Sequence, residues 1–323
     1  MFKKLEGNVQ GSKLIHYGTA VDKSISKIKD AIAGIKNSYV LRWKTLNEAL
    51  GGGLEFGTTT TIGARSGVGK STFVNLITND IFELNEDINT ILLYWNFEVP
   101  SYKQTLKKIS ENSKRSVKQL LRGDLSDLFD NVESQAENIK DKYKDKHYYF
   151  IDTTTNCDNI QKINETFFRK SEFKDFKIVN ILDHSRLITE RSSDINEEQK
   201  ITGMYKKFIE FCNDYGATNI CISQLKKDYQ TDLDKKNYRA PGIGDVFGSD
   251  GIVQCSDVVL LLHRPDQNNK STYSYNKIVD EETIYIQDED TNKKLYVEIA
   301  KQRNGGLGTV PLKQDLIYSL IYE

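Results

Sequence analysis

The chain has 323 residues, of which 38% are hydrophobic and 28% charged, enough apolar material for one large α/β domain or two small ones. Its formal net charge of −1 excludes coating of nucleic acid by bulk attraction and leaves only local basic surfaces for such contacts. Its four cysteines (Cys157, Cys212, Cys221, Cys255) and four histidines (His16, His147, His184, His263) are scattered, so reduced thiols and no zinc site are expected; without a membrane-length apolar run or signal-peptide core, a soluble cytoplasmic protein is expected.

In chain order, Val21, Ile25, Ile28, Ile32 and Ile35 recur at spacings of four and three, which puts them on one helical face. That face either folds onto its own core or docks on a neighbouring subunit, and residues 1–38 are read as an N-terminal arm. From residue 39 to 323 strands alternate with helices. Strands are expected over 58–62, 90–95, 148–151, 177–182, 218–222, 257–262 and 295–299, with helices over 71–82, 102–109 and 199–212. This alternation predicts an α/β fold with a mainly parallel central sheet and helices on both faces. The charge-rich stretch 110–146 is expected to be helical with a solvated face, and 266–292 to be an exposed hairpin or loop insertion.

The strongest chemical signal is Ala64-Arg65-Ser66-Gly67-Val68-Gly69-Lys70-Ser71, followed by Thr72, between a strand and a helix. Small residues let successive backbone N–H groups curl around a phosphate, and the helix N-terminus adds a favourable dipole. Lys70 is expected on the β- and γ-phosphates of ATP and the Ser71 hydroxyl on Mg²⁺. Ala64 stands where glycine is usual, which a negative φ tolerates. By contrast, Gly51-Gly52-Gly53 lacks a following lysine and helix and reads as a plain turn.

Glu98, at the end of the next strand, is a candidate general base for water attacking the γ-phosphate; alone it would read as a solvated side chain. The apolar run 176–182 ends in Asp183, a candidate Mg²⁺ ligand, and the Asn180 inside it needs hydrogen-bond partners. Gln224, at the tip of the strand over 218–222, is a candidate γ-phosphate sensor. The basic segment after it, with Lys226, Lys227, Lys235, Lys236 and Arg239, is either a solvated loop or one that tracks DNA phosphates. Lys301 and Arg303 are spaced two apart at a strand end, where strand alternation would aim both at one anion; if that anion is a nucleotide on the next subunit, Arg303 is an arginine finger.

Taken together and in order, these motifs resemble the replicative hexameric helicases of the DnaB family, with a RecA-like P-loop NTPase core. The resemblance begins at Leu46-Asn47-Glu48-Ala49-Leu50-Gly51-Gly52-Gly53-Leu54 and runs to about Leu312. It includes the Ala-first loop, Phe97-Glu98-Val99-Pro100-Ser101, Ser223-Gln224-Leu225, the pattern of Gly248, Ser249, Ile252, Gln254 and Asp257, and Lys301-Gln302-Arg303-Asn304-Gly305 with Gly308-Thr309-Val310. It implies an ATP- and Mg²⁺-dependent helicase moving 5′ to 3′ on single-stranded DNA as a homo-hexamer. Glu98 would be catalytic, and Lys301 and Arg303 would complete the neighbouring subunit's ATP site.

Three features depart from the family pattern, one being Asp183-His184-Ser185-Arg186 where the family usually has Asp-Tyr-Leu-Gln. The family's N-terminal globular domain has no counterpart here, so docking of a loader or primase through it is not carried over. Phe247-Gly248-Ser249-Asp250 lacks the phosphate-contacting arginine expected there, and Arg186 joins the basic residues above as a candidate substitute. Lys/Asn/Ile/Tyr-rich usage leans toward a phage-encoded protein working in a bacterial host. The alternative reading is a recombinase- or KaiC-like ATPase that remodels partners without unwinding DNA.

Overall fold

A computed structural model describes residues 7–9, 12–122, 129–153, 155–183, 197–226, 229, 238–279 and 282–323. The chain separates into two compact units, Met1–Ser38 and Tyr39–Glu323. In the first, β1 (Gly7–Val9) pairs antiparallel with β2 (Ser12–Leu14) and α1 spans Tyr17–Ile32. The helix starts where the His16 ring Nδ1 accepts the Gly18 amide at 3.1 Å. Its Val21, Ile25, Ile28 and Ile32 are all exposed.

In the second unit the chain runs through β3 (Ser38–Tyr39), α2 (Lys44–Ala49), β4 (Leu54–Glu55), β5 (Thr59–Ala64), α3 (Lys70–Glu83), β6 (Thr90–Asn96), α4 (Ser101–Ser113), α5 (Val117–Arg122), α6 (Phe129–Tyr143) and β7 (His147–Ile151). It continues through α7 (Cys157–Arg169), β8 (Lys177–Asp183), α8 (Glu197–Tyr215), β9 (Thr218–Gln224), α9 (Ser249–Cys255), β10 (Val258–His263), β11 (Thr272–Val279), β12 (Glu282–Asp290), β13 (Lys294–Gln302), β14 (Gly308–Asp315) and β15 (Leu320–Tyr322). The main sheet has the order β12-β11-β14-β13-β10-β5-β9-β8-β6-β7, with β15 on β14. From β10 to β7 all pairings are parallel, whereas β13, β14 and β15 add on antiparallel.

The parallel strands are short, nearly continuous runs of β-branched and apolar residues, as strands covered on both faces require. Their alternation feeds two cores. Leu92 and Tyr94 of β6 point to one with Phe73, Val74 and Ile77 of α3. Ile91, Leu93 and Trp95 point to the other with Met204, Tyr205, Phe208 and Phe211 of α8. Asn180, fully buried in β8, finds all its partners. Its amide donates to Asn164 Oδ1 at 2.9 Å and Asn219 Oδ1 at 3.1 Å, and its carbonyl accepts Trp95 Nε1 at 3.2 Å and Asn164 Nδ2 at 3.1 Å. The strand thus carries its one polar interruption without an unpaired group.

The segment 266–292 differs from the expected insertion. Its hairpin β11–β12 is built into the sheet through β11, whose Lys277 registers with Thr309 of β14. Tyr275 and Ile278 are buried, while Ile284 and Tyr285 of the edge strand β12 are exposed. The outer strand β12 is thus solvated on both faces, as an exposed hairpin would be, while β11 is packed into the sheet. At the start of the unit, Trp43 stacks on Phe73 with centroids 4.5 Å apart and donates its indole N–H to the Ile321 carbonyl at 3.0 Å. Gly53 is required in the adjoining turn, because its φ is +126° and a Cβ there would overlap the Tyr39 carbonyl oxygen. Among the described residues no helix is long and apolar enough to cross a membrane.

Candidate functional site

β5 ends at the carboxyl edge of the parallel strands, where open α/β sheets place their ligands, and the loop 65–69 leads from it into α3. Gly69 caps α3 with φ +115°, and a Cβ there would press Leu316 at 3.0 Å. Geometry and space therefore both demand glycine. Ala64 is not among the residues with positive φ, so its methyl is accommodated. Ala64, Val68 and Thr72 are buried, leaving Ser66 and Gly67 exposed at the loop tip. The first three can thus contribute backbone more readily than side chain.

Lys70, the first residue of α3, reaches across the strand ends to the Ser223 carbonyl at 3.4 Å. Burial lowers its ammonium pKa, and the negative charges of Asp183 and Glu98 oppose that. Asp183, buried at the end of β8, accepts from Gln104 Nε2 at 3.3 Å and Tyr94 Oη at 3.5 Å. Burial raises its carboxyl pKa, Lys70 counters this and the Glu98 charge adds to it. Glu98 itself is exposed, just past β6. The fold thus brings together Lys70, Glu98 and Asp183, which are far apart in sequence.

A second cation completes this cluster, one the motif reading missed. Lys107 on α4 feels both Asp183 and Glu98, although burial is the larger influence and lowers its pKa. Gln104, one helical turn earlier, also donates to Asn96 Oδ1 at 3.3 Å and accepts from Asn75 Nδ2 at 2.9 Å. The signal in sequence was spacing: positions 104 and 107 share the helix face that follows Glu98. Other unanticipated groups rest on the loop. Gln267 Nε2 donates to the Gly67 carbonyl at 3.1 Å, and Arg65 Nη1 to Asn268 Oδ1 at 3.3 Å.

The cluster suits a triphosphate with a hard divalent cation. Asp183 is a buried carboxylate whose hydrogen bonds are long, so a cation would relieve its desolvation. Ser71 sits on the first turn of α3 beside Lys70. One hydroxyl and one carboxylate are a typical protein share of a Mg²⁺ shell, with phosphates and water supplying the rest.

Past Gln224 the chain is tied to the segment ahead of α9. Phe247 N donates to the Gln224 carbonyl at 3.1 Å, Leu225 bridges Val246, and Lys226 N donates to the Asp245 carbonyl at 2.7 Å. Arg239 is committed within the protein. Its guanidinium grips Asp245 through two bonds of 2.5 and 2.6 Å and stacks over Tyr229 at 4.9 Å. A free phosphate contact would have to break that pair. Arg186, Lys227, Lys235 and Lys236 lie outside the described residues.

Lys301 and Arg303 stay close together, burial and then the Arg303 charge lowering the Lys301 pKa, but only Lys301 lies within the strand. The β10–β13 register shifts between Val259 and Leu260, and β13 ends at Gln302, so Arg303 lies beyond the strand. Lys301 Nζ folds onto the carbonyls of Val253 and Ser256 at the C-terminal end of α9, where a cation satisfies carbonyls that the helix leaves open. Arg303 stays largely exposed, its side chain 54% accessible, with Nε 3.2 Å from Asp257 Oδ1.

A glycine-capped loop after a central parallel strand, with a lysine and two carboxylates converging on it, defines a P-loop ATPase core of the RecA-like class. The fold agrees. A solved structure of an ATPase domain superposes with TM-score 0.76 at 15% identity, covering 94% of this chain and 98% of that one. A second, of a DnaB-like replicative helicase with its interactions with primase, gives TM-score 0.74 at 14% identity, covering 93% and 66%. The family model of the DnaB-like helicase C terminal domain matches residues 41–320, and the chain belongs to that family. It is 27% identical over 210 residues to a probable plasmid replicative DNA helicase of Chlamydia psittaci, covering 64% of this chain and 42% of that protein. It is 21% identical over 296 residues to the replicative DNA helicase DnaB of Buchnera aphidicola subsp. Schizaphis graminum (strain Sg), covering 91% and 56%. The chain thus spans about half the length of these curated relatives.

Proposed function

We propose that the protein hydrolyses ATP to move along single-stranded DNA and separate duplex at replication forks, as a ring of identical copies with six the expected number. The observation that carries this is the division of groups within one chain. Lys70, Glu98 and Asp183 converge behind the loop 65–69, while Arg303 stands exposed and held through Nε at a different place.

Backbone N–H groups of the loop and Lys70 would hold the phosphates, with Ser71 and Asp183 sharing Mg²⁺; when bound, that ion draws charge from the phosphoryl oxygens. Glu98, exposed and close enough to the buried Asp183 for its charge to act on it, would orient the attacking water. Lys107 supplies positive charge from α4. Arg303 of an adjoining copy would stabilise the developing charge, an effect worth about 10³–10⁵ in rate. Gln224 would pass the loss of γ-phosphate to 245–247 through its bonds to that segment, and Lys226 with the basic stretch beyond it would follow the DNA backbone. Lys301, engaged with α9, reaches a neighbour's nucleotide only by leaving those carbonyls. The exposed apolar face of α1 is assigned to docking on an adjacent copy.

The test combines ATPase and strand separation on a forked duplex. ATP hydrolysis stimulated by single strands together with unwinding is expected. Stimulation without unwinding would instead favour a remodelling ATPase. Arg303→Ala should cripple turnover while leaving nucleotide binding largely intact, and mixing it with Lys70→Ala should restore activity at junctions that pair an intact loop with an intact arginine. Removing residues 1–36 should dissolve rings on size-exclusion chromatography.

A further inference from the structure

We infer that Asp257 is the positioning residue for Arg303, and that it ties the arginine offered to the next copy to the strand that feeds this copy's own phosphate loop. The inference rests on the reading above that Arg303 acts on a neighbour's nucleotide. Asp257 lies between α9 and β10 and is engaged on all sides. Oδ2 accepts the Thr59 amide at 2.8 Å, and the Asp257 amide donates to the Thr59 carbonyl at 2.8 Å. Oδ1 faces Arg303 Nε at 3.2 Å, and the Asp257 carbonyl accepts the Arg303 amide at 3.1 Å. Thr59 is the first residue of β5, which ends at Ala64 and the loop.

Two features make this a positioning device as well as an ion pair. The ion pair through Nε draws the side chain toward Asp257 yet leaves the terminal fork of the guanidinium to meet a phosphate. Among the described residues Asp257 is the one carboxylate within ion-pair distance of Arg303. The strand ends just before Arg303, so strand geometry does not orient it; Asp257 does so from both backbone and side chain. Lys301 on the α9 carbonyls secures the same strand end two residues earlier. Asp257 thus joins Arg303 to Thr59 through its backbone and, in parallel, through its carboxylate.

Asp257→Asn separates the two duties. The carboxamide oxygen can still accept the Thr59 amide, but the charge that orients Arg303 is gone. Because a misplacement of about 1 Å costs on the order of a hundredfold, kcat of the DNA-stimulated ATPase should fall about tenfold to a hundredfold, with KM for ATP and the urea midpoint unchanged. Combined with Arg303→Ala, the second substitution should add less than about a twofold loss, since coupled residues are non-additive. Two independent, multiplying losses, or an unaltered kcat in Asp257→Asn, overturn the inference. If Arg303→Ala itself leaves kcat intact, the arginine-finger reading fails first, and that result is distinct from either.

Discussion

Gln104 Nε2 donates to Asp183 Oδ2 at 3.3 Å, so the carboxylate proposed to share Mg²⁺ is oriented by a helix beginning only three residues after the candidate base Glu98. α4 therefore links both acids. Gln104→Ala removes this donor together with the acceptor of Lys107 Nζ at 3.5 Å. The expected result is about a tenfold loss of kcat, with a higher Mg²⁺ concentration needed for half-maximal rate, in line with losses on removing outer partners of a metal ligand. A Mg²⁺ titration of steady-state ATPase checks this; an unchanged half-saturation point would remove Gln104 from the site.

Glu98→Gln should keep nucleotide affinity and lose about 10²–10⁴ in turnover, the range for a general base. Lys70→Ala should lose binding as well. Fluorescent-nucleotide titration alongside phosphate release distinguishes these two behaviours.

Asn180→Leu keeps the branching of the side chain with bulkier methyl groups and strands the Trp95 indole N–H and the facing Asn164 and Asn219 side-chain amides, all buried. With about 1–3 kcal/mol for each buried group left unpaired, a destabilisation of roughly 3–5 kcal/mol is expected in urea unfolding. A stable variant would mean that the ladder relaxes onto other partners.

Glu83 gives a pH signature. Burial alone would raise its pKa, but Lys108 at 2.9 Å, the Tyr143 hydroxyl at 2.9 Å and Lys142 at 3.3 Å together hold it below the ordinary glutamate value of 4.5. With a folded pKa below the unfolded one, its contribution is fully present above pH 4.5 and is lost as the pH falls through the folded value. Lys108→Met should cost about 2 kcal/mol near neutrality, and the gap from wild type should close in acid. Urea midpoints between pH 3 and 7 (about that span suffices) measure it; a gap independent of pH would show that packing, not charge, holds this corner.

By itself the sequence determined the phosphate loop and the parallel half of the sheet. Both are local: five consecutive turn-and-cap residues before Lys70 constrain their own backbone, and strands buried on both faces must be apolar almost throughout. The same reasoning stopped where partners are distant. Hairpin β11–β12 has a polar outer edge, so only its pairing with β14 shows that it belongs to the sheet. α7 was legible but went unread: Cys157, Ile160, Ile163 and Phe167 recur at helical spacing and pack into one core.

In the site, spacing suggested that Lys301 and Arg303 act as a pair. The tertiary structure keeps them near each other but gives each its own acceptor, the carbonyls of Val253 and Ser256 for Lys301 and the carboxylate of Asp257 for Arg303. Arg239 was likewise legible as a free cation until Asp245, six residues on, folded back to meet it. Which charges stay available to a ligand is decided by whichever opposite charge the fold brings within reach, and that information is not contained in the spacing of residues along the chain.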